Sequence, residues 1–132
     1  MKKKELKGKY LVAFDTICDG HQVGTDEDGQ PCPELFDSHD EAFKSLFEEA
    51  ICGIEGNEEH LEDEEARSQM IFDMKDLVAR GNVGRMIEYF DKNPDANYYD
   101  EFVQKADEFI LGRKAIYTGQ GLVIEGTKLE DL

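Results

Sequence analysis

Four side chains able to ligate a soft metal fall within 22 residues: Cys18, His21, Cys32 and His39. Zinc takes nitrogen and sulfur ligands in closed sets of four. A Cys-x-x-His pair on a long loop is one way to begin such a set. The later gaps, of ten and six residues, match no established zinc spacing, so this is a weak candidate site. The same residues permit a second chemistry, with Cys18 as nucleophile, His21 or His39 as base and Asp37 as orienter. Nothing local would lower the Cys18 pKa, and the surrounding acids oppose the thiolate. Asp26-x-Asp28-Gly29 has the spacing of part of a calcium loop. The first and twelfth positions would be Gly24 and Leu35, neither of which supplies a carboxylate. Asp28-Gly29 also suits a type I′ hairpin turn, which accounts for the same residues. The plainer reading of the whole 18–39 stretch is a turn-rich loop, with no catalytic residue, bound cofactor or metal expected.

The most unusual feature is the acidic run from Glu55 to Glu65. Glu55, Glu58, Glu59, Glu62, Asp63, Glu64 and Glu65 occur there with no Lys or Arg. Such a run is either a solvated linker and helix start or a negative surface offered to a cationic partner. Tyr98 and Tyr99 are a second binding candidate. Adjacent residues on a helix point about 100° apart, so at least one of the two is partly exposed, and exposed Tyr is favoured at interfaces.

Charge narrows the partners. The 132 residues carry 31 Asp and Glu against 15 Lys and Arg, a net charge of -16. Residues 1–9 are locally basic, and the remainder carries -20. Nucleic-acid binding needs clustered cations to replace phosphate counterions, so DNA and RNA are excluded as partners of the acidic body. A basic protein fits it. No apolar run is long enough to span a membrane. Three cysteines without a disulfide framework or export signal fit free thiols in a reducing cytoplasm.

The elements that must position these residues can be read from periodicity. Residues 1–8 read as a lysine-rich flexible start. Residues 9–17 form the clearest strand. His21–Thr25 and Gln30–Phe36 read as arms of a short hairpin. Ser38 and Glu41 form a capping box, and Phe43, Leu46, Phe47, Ala50, Ile51 and Ile54 follow at helical spacing. Gly53 and Gly56 mark the end of that helix. A second helix runs from the acidic turn to about Arg80, with Gly81 as its stop. A third spans Val83–Asp91 and ends at Asn93-Pro94. A fourth is expected over about Tyr98–Leu111, with Phe102, Ala106, Phe109 and Ile110 inward and Gly112 as its stop. Lys114–Thr118 and Leu122–Glu125 read as a C-terminal hairpin, and 126–132 as a polar tail.

The stretch from Gly81-Asn82-Val83 to Asn93-Pro94-Asp95-Ala96-Asn97 resembles the second helix and finger of an ankyrin repeat. It occurs once, whereas such repeats stack in copies about 33 residues apart, so no family is assigned. The expected fold is one α+β domain over 1–132. About four helices would pack on a small antiparallel or mixed sheet made by the N-terminal strand and hairpin with the C-terminal hairpin. The expected function is a non-enzymatic protein–protein interaction module. The alternatives are an acidic inhibitor or DNA mimic that binds a basic partner, and a metal- or cysteine-dependent enzyme using the 18–39 loop.

Overall fold

The computed structural model describes residues 6–16, 19–57 and 63–129, with the backbone course alone over 113–118 and 122–125. The fold is α+β, with three helices and two small sheets among the described residues. Two compact units are formed, one from residues 1–42 and 102–132 and the other from 43–101.

In the first unit, β1 (Tyr10–Asp15) buries Leu11 and Ala13 on one face, as the two-residue period of a strand requires. It turns at Thr16, whose hydroxyl donates to the Gly20 carbonyl at 2.7 Å and accepts from the Asp19 amide at 2.9 Å. The chain returns as β2 (His21–Gln22), antiparallel to β1 with Phe14 opposite Gln22 and Asp15 opposite His21. His21 thus pairs backwards onto β1, and the expected His21–Thr25 arm is replaced by an isolated bridge between Thr25 and Pro31. Inside that bridge the Asp26 amide donates to the Gln30 carbonyl, and the three residues between them make a reversal that is not a type I′ turn. The Gly29 amide donates to the Asp26 carbonyl, and only Gly29 takes a positive φ, of 77°. One Asp26 carboxylate oxygen accepts from the amides of Asp28 and Gln30 at 2.9 and 3.0 Å. The calcium-like spacing is therefore an Asx turn.

β3 (Glu101–Lys105) completes the sheet order β2-β1-β3. A 3-10 turn at Ala106–Glu108 follows, then the hairpin of β4 (Ile110–Thr118) and β5 (Gly121–Lys128). The expected helix over Tyr98–Leu111 is absent. Asp100 sits at φ 54°, which a right-handed helix does not tolerate. The Asn97 side chain accepts from the Glu101 amide at 3.0 Å and donates to the Glu101 carbonyl at 2.9 Å, supplying locally what a helical turn would have supplied. Phe102, Ala106 and Phe109 still point into one core with Leu6, Leu11, Ala13, Val23 and Leu129. The burial expected of the helical stripe is delivered by a strand and a 3-10 turn. Gly112, expected to stop that helix, lies at φ 70° in an irregularity of β4. The terminal strands do not share one sheet: β1 pairs with β2 and β3, whereas β4 and β5 pair with each other.

The second unit is helical. α1 (His39–Glu55) begins where expected, the Glu41 amide donating to the Ser38 hydroxyl at 3.2 Å. α2 (Glu64–Arg80) is capped by Asp63, whose carboxylate accepts from the Glu65 and Ala66 amides, and it ends at Gly81 with φ 67°. α3 (Val83–Lys92) is capped by Asn82 and gives way to a 3-10 turn at Pro94–Ala96. The core gathers Phe47, Ala50, Ile51, Ile54, Met74, Met86 and Ala96. Phe47 packs on Phe90 with ring centroids 4.9 Å apart and edge-on to Tyr89 at 6.3 Å. Arg67 closes the C-terminal end of α1 by donating to the carbonyls of Ile54 and Glu55. Among the described residues no helix is long and apolar enough to cross a membrane.

Phe47 and Phe109 are fully enclosed, one in each unit's core. Replacing either with Ala is expected to cost about 3–5 kcal/mol in denaturant titrations. Phe43 keeps part of its surface in water, so its replacement costs less. A loss below about 1 kcal/mol at Phe47 or Phe109 would show the cores to be assigned wrongly.

Candidate interaction surface

The cysteine–histidine stretch is spread over ordinary partners. His21 Nε2 lies 2.8 Å from an Asp15 carboxylate oxygen, and its ring meets Phe102 at a 4.8 Å centroid distance. His39 Nδ1 is 3.4 Å from Asp40, and its ring stands edge-on to Tyr10 at 6.2 Å. Cys32 is exposed, and its backbone amide serves the loop by donating to the Gly24 carbonyl. Asp37 pairs with Lys9. Cys18 lies outside the described residues. Among the described residues no three His, Cys, Asp or Glu side chains group closely enough to hold a metal ion.

The acidic run is better defined at its ends than in its middle. Glu58, Glu59 and Glu62 lie outside the described residues. Glu55 pairs with Lys75 at 3.3 Å. Asp63 is the cap of α2, and Glu64 and Glu65 occupy its first turn, where carboxylates suit the positive end of the helix dipole. Four of the seven acids therefore have structural tasks as well as charge.

The tyrosine pair meets the start of this run. Tyr98 and Tyr99 pack edge to face, 4.8 Å apart, against Gly53 on α1. A Cβ at residue 53 would stand 2.9 Å from Tyr99 Cε2 and closer still to the Tyr98 ring. Gly53 is thus required for close approach inside α1, not as a helix stop. The Tyr98 hydroxyl accepts from Asn57 Nδ2 at 2.6 Å, across 41 residues of sequence. Tyr98 is half-buried and Tyr99 is 48% exposed. The aromatic pair thus meets the C-terminal end of α1, the stretch of chain where the acidic run begins.

Two further carboxyls sit in the same unit. Glu101, directly after the Tyr98–Asp100 turn, faces Glu49 on α1. Burial, and a hydrogen bond to Glu49 together with its negative charge, push the Glu101 carboxyl up to about 8. No sequence signal marks this pair, because its members are distant in the chain and belong to different elements. Leu77 of α2, with Asn82, Gly84, Arg85, Glu88, Tyr89 and Lys92 at and along α3, lines an open groove of about 490 Å³. Burial and the nearby Asp73 charge raise the Tyr89 phenol above its ordinary value. Phe72 is 68% exposed on α2, a lone apolar side chain of a kind common on protein surfaces.

Compared with protein-family models, with curated proteins and with solved structures, the chain matches none of them.

The close packing at Gly53 makes a prediction of unusual sign. In a helix interior Gly→Ala normally stabilises by about 1 kcal/mol. Gly53→Ala is expected to destabilise instead, because overpacking costs about 1–3 kcal/mol. In a Tyr98→Ala/Tyr99→Ala background the same change becomes stabilising. Denaturant titration of the four chains reads this as a double-mutant cycle. A stabilising Gly53→Ala in the otherwise unchanged protein would mean that the rings do not cover residue 53.

Proposed function

We propose that the protein is a non-catalytic binding module that docks a basic protein partner on the acidic, tyrosine-bearing surface of residues 43–101. The observation that carries this reading is the junction of Tyr98 and Tyr99 with Gly53 and Asn57, two residues on either side of Glu55. Tyr offers a large, stiff contact area with a polar tip, and ring packing already limits the motion that binding would otherwise have to stop. Charge distribution supports the sign of the partner. Residues 43–101 hold sixteen Asp and Glu against six Lys and Arg. Complementary potential speeds encounter and rejects anionic competitors, nucleic acid among them. An acidic inhibitor or phosphate mimic is the narrower form of the same reading.

The test is a pull-down of cationic proteins by the full chain at rising salt, followed by titration with the partner retained. Binding is expected to weaken steeply between about 50 and 500 mM salt as the Debye length shortens. Tyr99→Ala is expected to weaken it about tenfold or more, as loss of an interface aromatic does. Duplex DNA at about 150 mM salt should not shift in a gel. Sub-micromolar DNA binding, or a partner whose affinity ignores both salt and Tyr99, would overturn the proposal.

A further inference from the structure

We propose that the groove along α3 receives the exposed face of α1 from a second copy of the chain, the two helices lying antiparallel. What carries this is a match between two rows of charge. On α3, Arg85, Glu88 and Lys92 line the groove and run positive, negative, positive. On α1, Glu41, Lys44 and Glu48 are exposed and run negative, positive, negative. Both rows are spaced by three residues and then four. Each therefore follows one stripe of its helix for about 10 Å.

Neither row is neutralised within one chain. Residues 43–101 hold six Lys and Arg. Arg67 donates to the last carbonyls of α1, Lys75 pairs with Glu55, and Arg80 pairs with Asp76. The other three are Lys44, Arg85 and Lys92, and none of them forms an ion pair among the described residues. Glu41, Glu48 and Glu88 form none there either. The three cations that the acidic unit leaves uncompensated thus all belong to these two rows.

Antiparallel alignment sets Arg85 level with Glu48 and Lys92 level with Glu41. Glu88 meets Lys44 one residue, about 1.5 Å, out of level, which long side chains absorb. Ser45, four residues after Glu41, comes opposite Tyr89, four residues after Arg85, and its small side chain leaves room for the ring. Leu77 and the Tyr89 ring add apolar lining. A nucleic-acid strand does not fit the same groove, because Glu88 between the two cations repels phosphate. Each chain carries -16, so long-range repulsion opposes association at low salt, while high salt screens the local pairs. Self-association is therefore strongest at intermediate salt. It uses neither Tyr98 nor Tyr99, so it stands or falls separately from the docking surface proposed above.

The experiment is sedimentation of the full chain from about 10 μM to about 1 mM at about 150 mM salt. Association that grows with concentration and weakens about tenfold or more at about 1 M salt is expected. Arg85→Glu/Lys92→Glu is expected to sediment as a monomer, and so is Glu41→Lys/Glu48→Lys. An equimolar mixture of the two variants is expected to associate again, because each reversed row then meets its complement. A chain that stays monomeric at about 1 mM overturns the proposal, even if the groove captures an acidic helix of another protein. Association that survives both reversals, or that mixing of folded variants fails to restore, overturns it as well. Amide NMR signals of the unmodified chain decide the matter if a variant fails to fold. Those of residues 41–48 and 85–92 are expected to shift together on dilution, and shifts confined to other residues overturn the proposal.

Discussion

One stripe of α1 carries the second unit. Phe47, Ala50, Ile51 and Ile54 lose nearly all their solvent contact along it, and α2, α3 and the Pro94–Ala96 turn supply the opposing apolar atoms. The helix must also let a second layer approach where the stripe ends. Gly53 meets that need, because only a residue without a side chain lets the rings of Tyr98 and Tyr99 lie against the helix backbone. The position of the tyrosines, the Asn57 hydrogen bond and the course of the chain into β3 all follow from this contact. An aromatic pair that elsewhere would be two surface side chains is held in one arrangement.

An acidic chain has to fold without concentrating its own repulsion. Here many carboxylates are committed to local work. Asp63 caps α2 and Asp26 closes a turn. Asp76 pairs with Arg80 one turn away, Glu55 with Lys75, and Asp37 with Lys9. Exposed pairs of this kind add little stability each, about 0–1 kcal/mol. Their effect is to set where negative charge stays uncompensated. Glu49 and Glu101 depart from the pattern, since each faces another acid instead of an amide or a cation.

The segment 98–111 shows how a correct burial pattern can belong to a different element. Phe102, Ala106 and Phe109 recur at intervals of four and three, which is the spacing of a helical face. Periodicity records which side chains must be buried and leaves open the backbone that buries them. Asn97 bonds both backbone groups of Glu101, Asp100 takes a left-handed φ, and a third strand joins the β1–β2 pair. Sheet pairing between segments some ninety residues apart leaves no local trace that a window of residues can detect.

The sequence by itself determined the α+β class, a strand within residues 9–17, and the helices found at His39–Glu55, Glu64–Arg80 and Val83–Lys92, the first with its Ser38 start. It also determined the Gly81 stop and most of the apolar core. Each of these is decided within a few residues, by capping hydrogen bonds or by the period of apolar side chains. It also marked the acidic run and the tyrosine pair as candidates, since composition and residue type are visible without coordinates. Tertiary structure alone decided that the tyrosine pair packs on the C-terminal end of α1, that Gly53 is the reason it can, and that Glu49 faces Glu101. Those outcomes depend on steric fit and desolvation between residues that only chain folding brings together, and neither quantity exists until the chain has folded.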